Sequence, residues 1–164
     1  MNFEQKRNFN RFIKDKDSTM VNLHKMTIIC KNILSISHKQ INEYTTKLTE
    51  LENNLITSKN CYRLYYKQKD KNNFKKTEKE ILDIFIQKKI YTNKLNIPKE
   101  ILEKESEFIN IFKNTKEIFD KITQEIEHIK KEKYNEEKIK KLTLQIDDIW
   151  FKNMKIYNFM LNKN

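Results

Sequence analysis

Between Met20 and Tyr65 apolar side chains return every three or four residues. With Ile41 set as position a of a heptad, the a and d sites are Met20, Leu23, Thr27, Cys30, Leu34, Ser37, Ile41, Tyr44, Leu48, Leu51, Leu55, Ser58, Tyr62 and Tyr65. Only Thr27, Ser37 and Ser58 break the apolar pattern. A period near 3.5 keeps these positions on one side of a helix, so the spacing predicts a single long helix over 18–66, about 72 Å if unbroken at 1.5 Å per residue. Asp17 or Ser18 would cap its start. Residues 1–17 read as a basic N-terminal arm. In it Phe3, Lys6, Arg7, Phe9, Arg11, Phe12, Ile13 and Lys14 are spaced for a short amphipathic helix on an anionic surface, or else belong to a frayed tail or a docked extra turn.

The periodicity lapses over 67–77, which reads as a basic loop. Thr77-Glu78-Lys79-Glu80 then has the form of a capping box ahead of Ile81, Leu82, Ile84, Phe85 and Ile86, predicting a shorter helix over 78–95. The one proline, Pro98, stands where the first residue of a third helix would be. That helix, 98–131, carries its own seam of Ile101, Phe108, Phe112, Phe119, Ile122, Ile126 and Ile129. The seam fails over 130–138 and resumes one residue out of phase at Ile139, Leu142, Ile146, Ile149, Ile156 and Met160. Lys130, Lys131 and Lys133 followed by Asn135, Glu136 and Glu137 suit a helix end, a cap and a new start, so a turn is expected there and a fourth helix over 136–161. No segment alternates with period two, and hairpins would have to form without a single glycine, which sets strands aside. The expected fold is all-α, an elongated antiparallel helical bundle or coiled coil of about four helices, in one domain of 164 residues.

Composition changes the weight given to charge. The net charge is +11, yet glycine and alanine are absent and Lys, Asn and Ile number 31, 20 and 23. This is the bias that an AT-rich genome imposes through AAA, AAT and ATA codons, so the lysine excess is a weaker sign of an acidic partner than the charge alone would suggest. No apolar run approaches the roughly 18–20 residues needed to span a bilayer. The N-terminus lacks the apolar stretch of a secretory signal, though its Phe and Arg content resembles a mitochondrial presequence slightly. Cys30 and Cys61, on one helix, would sit about 46 Å apart and could not bridge. The expected location is therefore intracellular and reducing, cytoplasm or nucleus, with mitochondrial import a lesser alternative.

Catalytic chemistry is hard to place on this chain. Without glycine there is no P-loop, dinucleotide fingerprint or nucleophile elbow. His24, His38 and His128 form no paired motif, and Glu125-Ile126-Glu127-His128 matches one half of a di-iron helical site with no second half. No catalytic residue, metal ligand or cofactor is expected, and the chain is read as non-enzymatic. Two stretches draw attention instead. The C-terminal segment crowds Trp150, Phe151, Met154, Tyr157, Phe159 and Met160, residue types that dominate protein interfaces. Residues 59–76 interleave Arg63, Lys67, Lys69, Lys71, Lys75 and Lys76 with Tyr66 and Phe74, which suits phosphates and stacked bases. The first points to a scaffold subunit of a larger assembly, joined to protein partners or to itself through helices. The second gives the alternative, a module for nucleic acid, an anionic membrane or an acidic protein tail, with the N-terminal arm assisting.

Overall fold

The computed structural model describes residues 1–163, and no strand occurs among them. The helices are α1 (Phe3–Lys67), α2 (Lys71–Lys94), α3 (Asn96–Glu103), α4 (Glu105–Lys131) and α5 (Glu136–Lys163). Single residues, Leu95 and Lys104, separate α2, α3 and α4, so the described chain forms three helical runs. The expectation of about four separate helices is corrected to that extent, while the all-α class holds. The chain divides into two compact units, one of residues 1–34 and 103–164, the other of residues 35–102.

The first unit is built on three helices around one core. Phe9, Phe12, Leu23 and Met26 of α1 meet Phe119, Ile122, Ile126 and Ile129 of α4 and Leu142, Ile146 and Ile149 of α5. Each such side chain contributes roughly 1.5–3 kcal/mol when taken out of water. With Phe9 and Phe12 in this core, the N-terminal stretch is a docked part of α1. Helix α1 starts at Phe3 behind a reciprocal cap, in which Asn2 Oδ1 accepts the Gln5 N–H at 2.8 Å and Gln5 Oε1 accepts that of Asn2 at 3.0 Å. Asp17 and Ser18 therefore lie well inside the helix and cap nothing. Lys16 is buried, 8% exposed, with its Nζ 2.7 Å from the Asp17 carboxylate.

The turn expected near 130–138 is present. Helix α4 ends with His128, Lys130 and Lys131 in its last turn, where positive charge meets the carbonyl end of the helix dipole. Asn135 then opens α5, its Oδ1 accepting the N–H groups of Glu137 and Lys138 at 3.0 and 3.3 Å. Across the α4–α5 pair Lys138 Nζ reaches Glu125 at 3.1 Å. Farther along, the buried Asn153 donates from Nδ2 to Thr115 Oγ1 and to the Ile149 carbonyl, both at 2.9 Å. The two helices run antiparallel.

The second unit is a helical hairpin of α1 and α2. The heptad positions Ser37, Ile41, Tyr44, Leu48, Leu51, Leu55, Ser58, Tyr62 and Tyr65 are all buried or half-buried, as the sequence pattern requires. Facing them, Phe74, Thr77, Ile81, Ile84, Lys88, Tyr91 and Leu95 repeat at threes and fours along α2. Tyr44 packs on Tyr91 with ring centres 5.9 Å apart, Glu52 pairs with Lys88, and Tyr62 packs on Phe74 at 4.4 Å, an antiparallel register.

The tip of the hairpin is tighter than the expected 67–77 loop. The Asp70 N–H donates to the Tyr65 carbonyl at 3.0 Å and the Lys69 N–H to that of Tyr66 at 3.2 Å, the paired bonds of a Schellman ending. Its left-handed residue is Lys69, φ 55°, a place that usually goes to glycine. Asp70 closes α1 and also caps α2, its Oδ1 accepting the Asn73 N–H at 3.3 Å. Thr77 is thus no cap: it lies in the α2 seam with its hydroxyl donating to the Asn73 carbonyl at 2.8 Å. The break after Lys94 has a simple cause. Pro98 offers no N–H to the Lys94 carbonyl four residues back, and its ring would collide with that carbonyl in a continuous helix. Helix α3 ends at Glu103 and α4 begins at Glu105, with Lys104 between them as the α4 N-cap residue, so the helix expected over 98–131 is two.

Candidate interaction surfaces

At the hairpin tip Tyr65, Tyr66, Lys69, Asp70, Lys71 and Phe74 line a shallow cavity of about 280 Å³. Lys69 and Lys71 stand together on this cavity, Lys67 is the last residue of α1, and Arg63, Lys75 and Lys76 lie about one turn farther along the two helices. None of these six basic side chains has an ion-pair partner among the described residues. Phe74 is held by Tyr62 and, at 5.9 Å, by Tyr66, so its ring belongs to the packing of the tip. Tyr66 stays 71% exposed and keeps a free face for stacking.

The C-terminal cluster is placed differently from residue to residue. Met160 is fully buried and serves as core. Trp150, Met154 and Tyr157 pack, partly buried, against the core of the first unit. Phe159 is half-buried with Lys104 Nζ 5.6 Å from its ring centre. Phe151 alone among the six points outward, 71% exposed. Most of the apolar surplus noted in this segment is taken up by its own unit.

A third surface went unrecognised in the sequence. On α2 the large apolar Leu82, Phe85, Ile86 and Ile90 are exposed, on the side opposite or flanking the α1 seam. Beside them, between α1 and α2, lies a cleft of about 400 Å³ lined by Lys59, Tyr62, Arg63, Glu78, Ile81 and Leu82. Lys59 Nζ stands 5.8 Å from the Phe85 ring centre. The signal was the run Ile81-Leu82-Asp83-Ile84-Phe85-Ile86, which is apolar on more than one helix face.

Titratable groups follow local causes. Burial pushes the Cys30 thiol above its ordinary 9.0 to about 11, which leaves it an unreactive proton carrier in the core. The Lys88 ammonium holds the Glu52 carboxyl below the usual range, and Lys130 does the same for Glu127. Glu125, the first residue of the Glu-x-x-His spacing, is engaged by Lys138. No group of three or more His, Cys, Asp and Glu side chains suited to a metal occurs among the described residues. No described helix is long and apolar enough to cross a membrane.

The fold and these surfaces define an all-α chain built from a three-helix unit and a helical hairpin. Set against models of protein families, curated proteins and solved structures, it matches none of them.

Proposed function

We propose that the protein is a non-enzymatic helical interaction subunit of a larger multiprotein assembly, its own helices meeting in coiled-coil fashion and its apolar helix faces serving as docking surfaces. The observation that supports this reading is the doubly apolar α2. One side of that helix is used on the α1 seam, and Leu82, Phe85, Ile86 and Ile90 remain in water. About half of each side chain is already out of water, so covering the rest contributes roughly 1 kcal/mol apiece, and a partner helix over this side has a driving force available.

The test is recovery of the tagged chain from its native cells after nuclease treatment, with co-purifying proteins identified by mass spectrometry. A few proteins in fixed ratio are expected, and Leu82→Ser with Phe85→Ser should release them. A monodisperse compact monomer that binds no apolar dye and retains no partner would overturn the proposal. The second reading, binding of nucleic acid or another acidic surface through residues 59–76, is favoured by one observation, the exposed Tyr66 ring among unpaired lysines. It predicts loss of every partner on nuclease treatment and steep weakening between about 50 and 200 mM salt.

A further inference from the structure

The two units differ in how many helices share their interior. In residues 1–34 and 103–164 three helices surround the core, whereas in residues 35–102 α1 and α2 face each other along a seam, and the short α3, with Pro98 and Ile101 buried, follows only at the end away from the tip. Two helices leave a groove on each side of their line of contact, and a third helix laid in one of them closes it. The cleft beside Leu82 is such a groove. Its floor is apolar, from Tyr62, Ile81 and Leu82, with Phe85 adjoining. Its α1 rim carries Lys59 and Arg63, against Glu78 on the α2 side. Neither Lys59 nor Arg63 has an ion-pair partner among the described residues.

We infer that this cleft takes an amphipathic helix of negative charge from another protein, so that the hairpin is completed as a three-helix unit. Charge decides between occupants. A second copy of the chain would bring the same positive excess to the groove, and like charges across an interface cost several kcal/mol. A partner with Glu or Asp beside its apolar stripe instead neutralises Lys59 and Arg63 while its aliphatic face covers Leu82 and Phe85. From Glu78 to Phe85 the α2 wall runs about 10 Å, which two turns of the incoming helix would span. This inference rests on the docking reading above and names the chemistry of the partner.

The experiment uses the full chain and two fluorescein-labelled synthetic helices about four turns long. Each has leucine at threes and fours; one carries Glu at every other position and one Lys. The Glu helix should bind saturably by fluorescence anisotropy, about tenfold or more tighter than the Lys helix. Leu82→Ser with Phe85→Ser should weaken it about tenfold. Lys59→Glu with Arg63→Glu should turn the preference toward the Lys helix, a gained binding that an unfolded chain would not give. Equal binding of both helices, or indifference to both double substitutions, would overturn the inference. So would binding of a single-stranded oligonucleotide that competes with the Glu helix and ignores Leu82→Ser with Phe85→Ser, since the groove would then be a phosphate site. Sedimentation showing two chains held through Leu82 and Phe85 would refute the acidic partner and leave the docking reading intact. That reading fails separately, if native-cell recovery yields no partner at all.

Discussion

Lys69→Gly should make the hairpin more stable, although it deletes an entire side chain. Lys69 sits at φ 55°, where the Cβ of any L-residue crowds its own backbone. That crowding costs about 1–2 kcal/mol and vanishes for glycine. Glycine is also freer in the unfolded chain, which returns about 0.5–1 kcal/mol. The net gain is about 0.5–1 kcal/mol, or roughly 2–3 °C in Tm for a chain of this size. Lys69→Ala is the control, because it removes the same charge and keeps the Cβ, so the difference between the two variants isolates the backbone term. Urea unfolding followed by the helical circular dichroism signal gives both midpoints. A glycine variant no more stable than the alanine variant would refute the left-handed Schellman turn at this tip.

The Cys30 thiol keeps its proton after the unfolded chain has lost its own, so the native state binds more protons between pH 9 and about 11. The stability it supplies is full below pH 9 and disappears as pH rises through the folded value, and Cys30→Val should lose less stability than the parent over that window. In thiol-labelling at pH 8 the half-buried Cys61 should react first, with Cys30 following only as the chain opens. Ile122→Ala, at a position with no exposed surface, should cost about 2–5 kcal/mol in urea unfolding, and Phe151→Ala, on the exposed side of α5, less than about 0.5. Asn153→Ala breaks the bonds to Thr115 and Ile149 inside the unit and should cost about 1–3 kcal/mol by the same assay.

The heptad register was legible along nearly all of the seam, its first position, Met20, being the exception at 41% exposed. From Leu23 to Tyr65 every position assigned from spacing is buried or half-buried, and so are Ile139, Leu142, Ile146, Ile149, Ile156 and Met160 on α5. The Asn135 cap was legible as well, because a helix end rich in lysine and a start rich in glutamate meet there. Thr27, Ser37 and Ser58 did not hide the seam, but two other polar positions misled. The buried Lys16 hides the continuity between Phe12 and Leu23, and the start of α1 was signalled only by the Asn2 and Gln5 pair. Thr77 in the α2 seam imitates a cap, since a hydroxyl can bond the carbonyl four residues back as readily as it can cap an N–H. The interaction surfaces were less legible still. Spacing shows that Trp150 and Phe151 lie on different sides of a helix, but which side is covered depends on how α1 and α4 pack on α5, which spacing within one helix does not show.

The first unit is assembled from two separate stretches, 1–34 and 103–164, with the whole hairpin between them. Its core joins positions far apart in the chain, Phe12 for example with residues from Phe119 to Ile149. Closing a loop of that length before any of those contacts reward it is slow, whereas the hairpin closes around three residues, Gln68 to Asp70. The hairpin should therefore form early and shorten the search that brings the ends of the chain together. On the ribosome α1 is complete long before α4 and α5 emerge, so Phe9, Phe12, Leu23 and Met26 must wait in water for helices not yet made, a period in which a nascent chain is open to capture by chaperones.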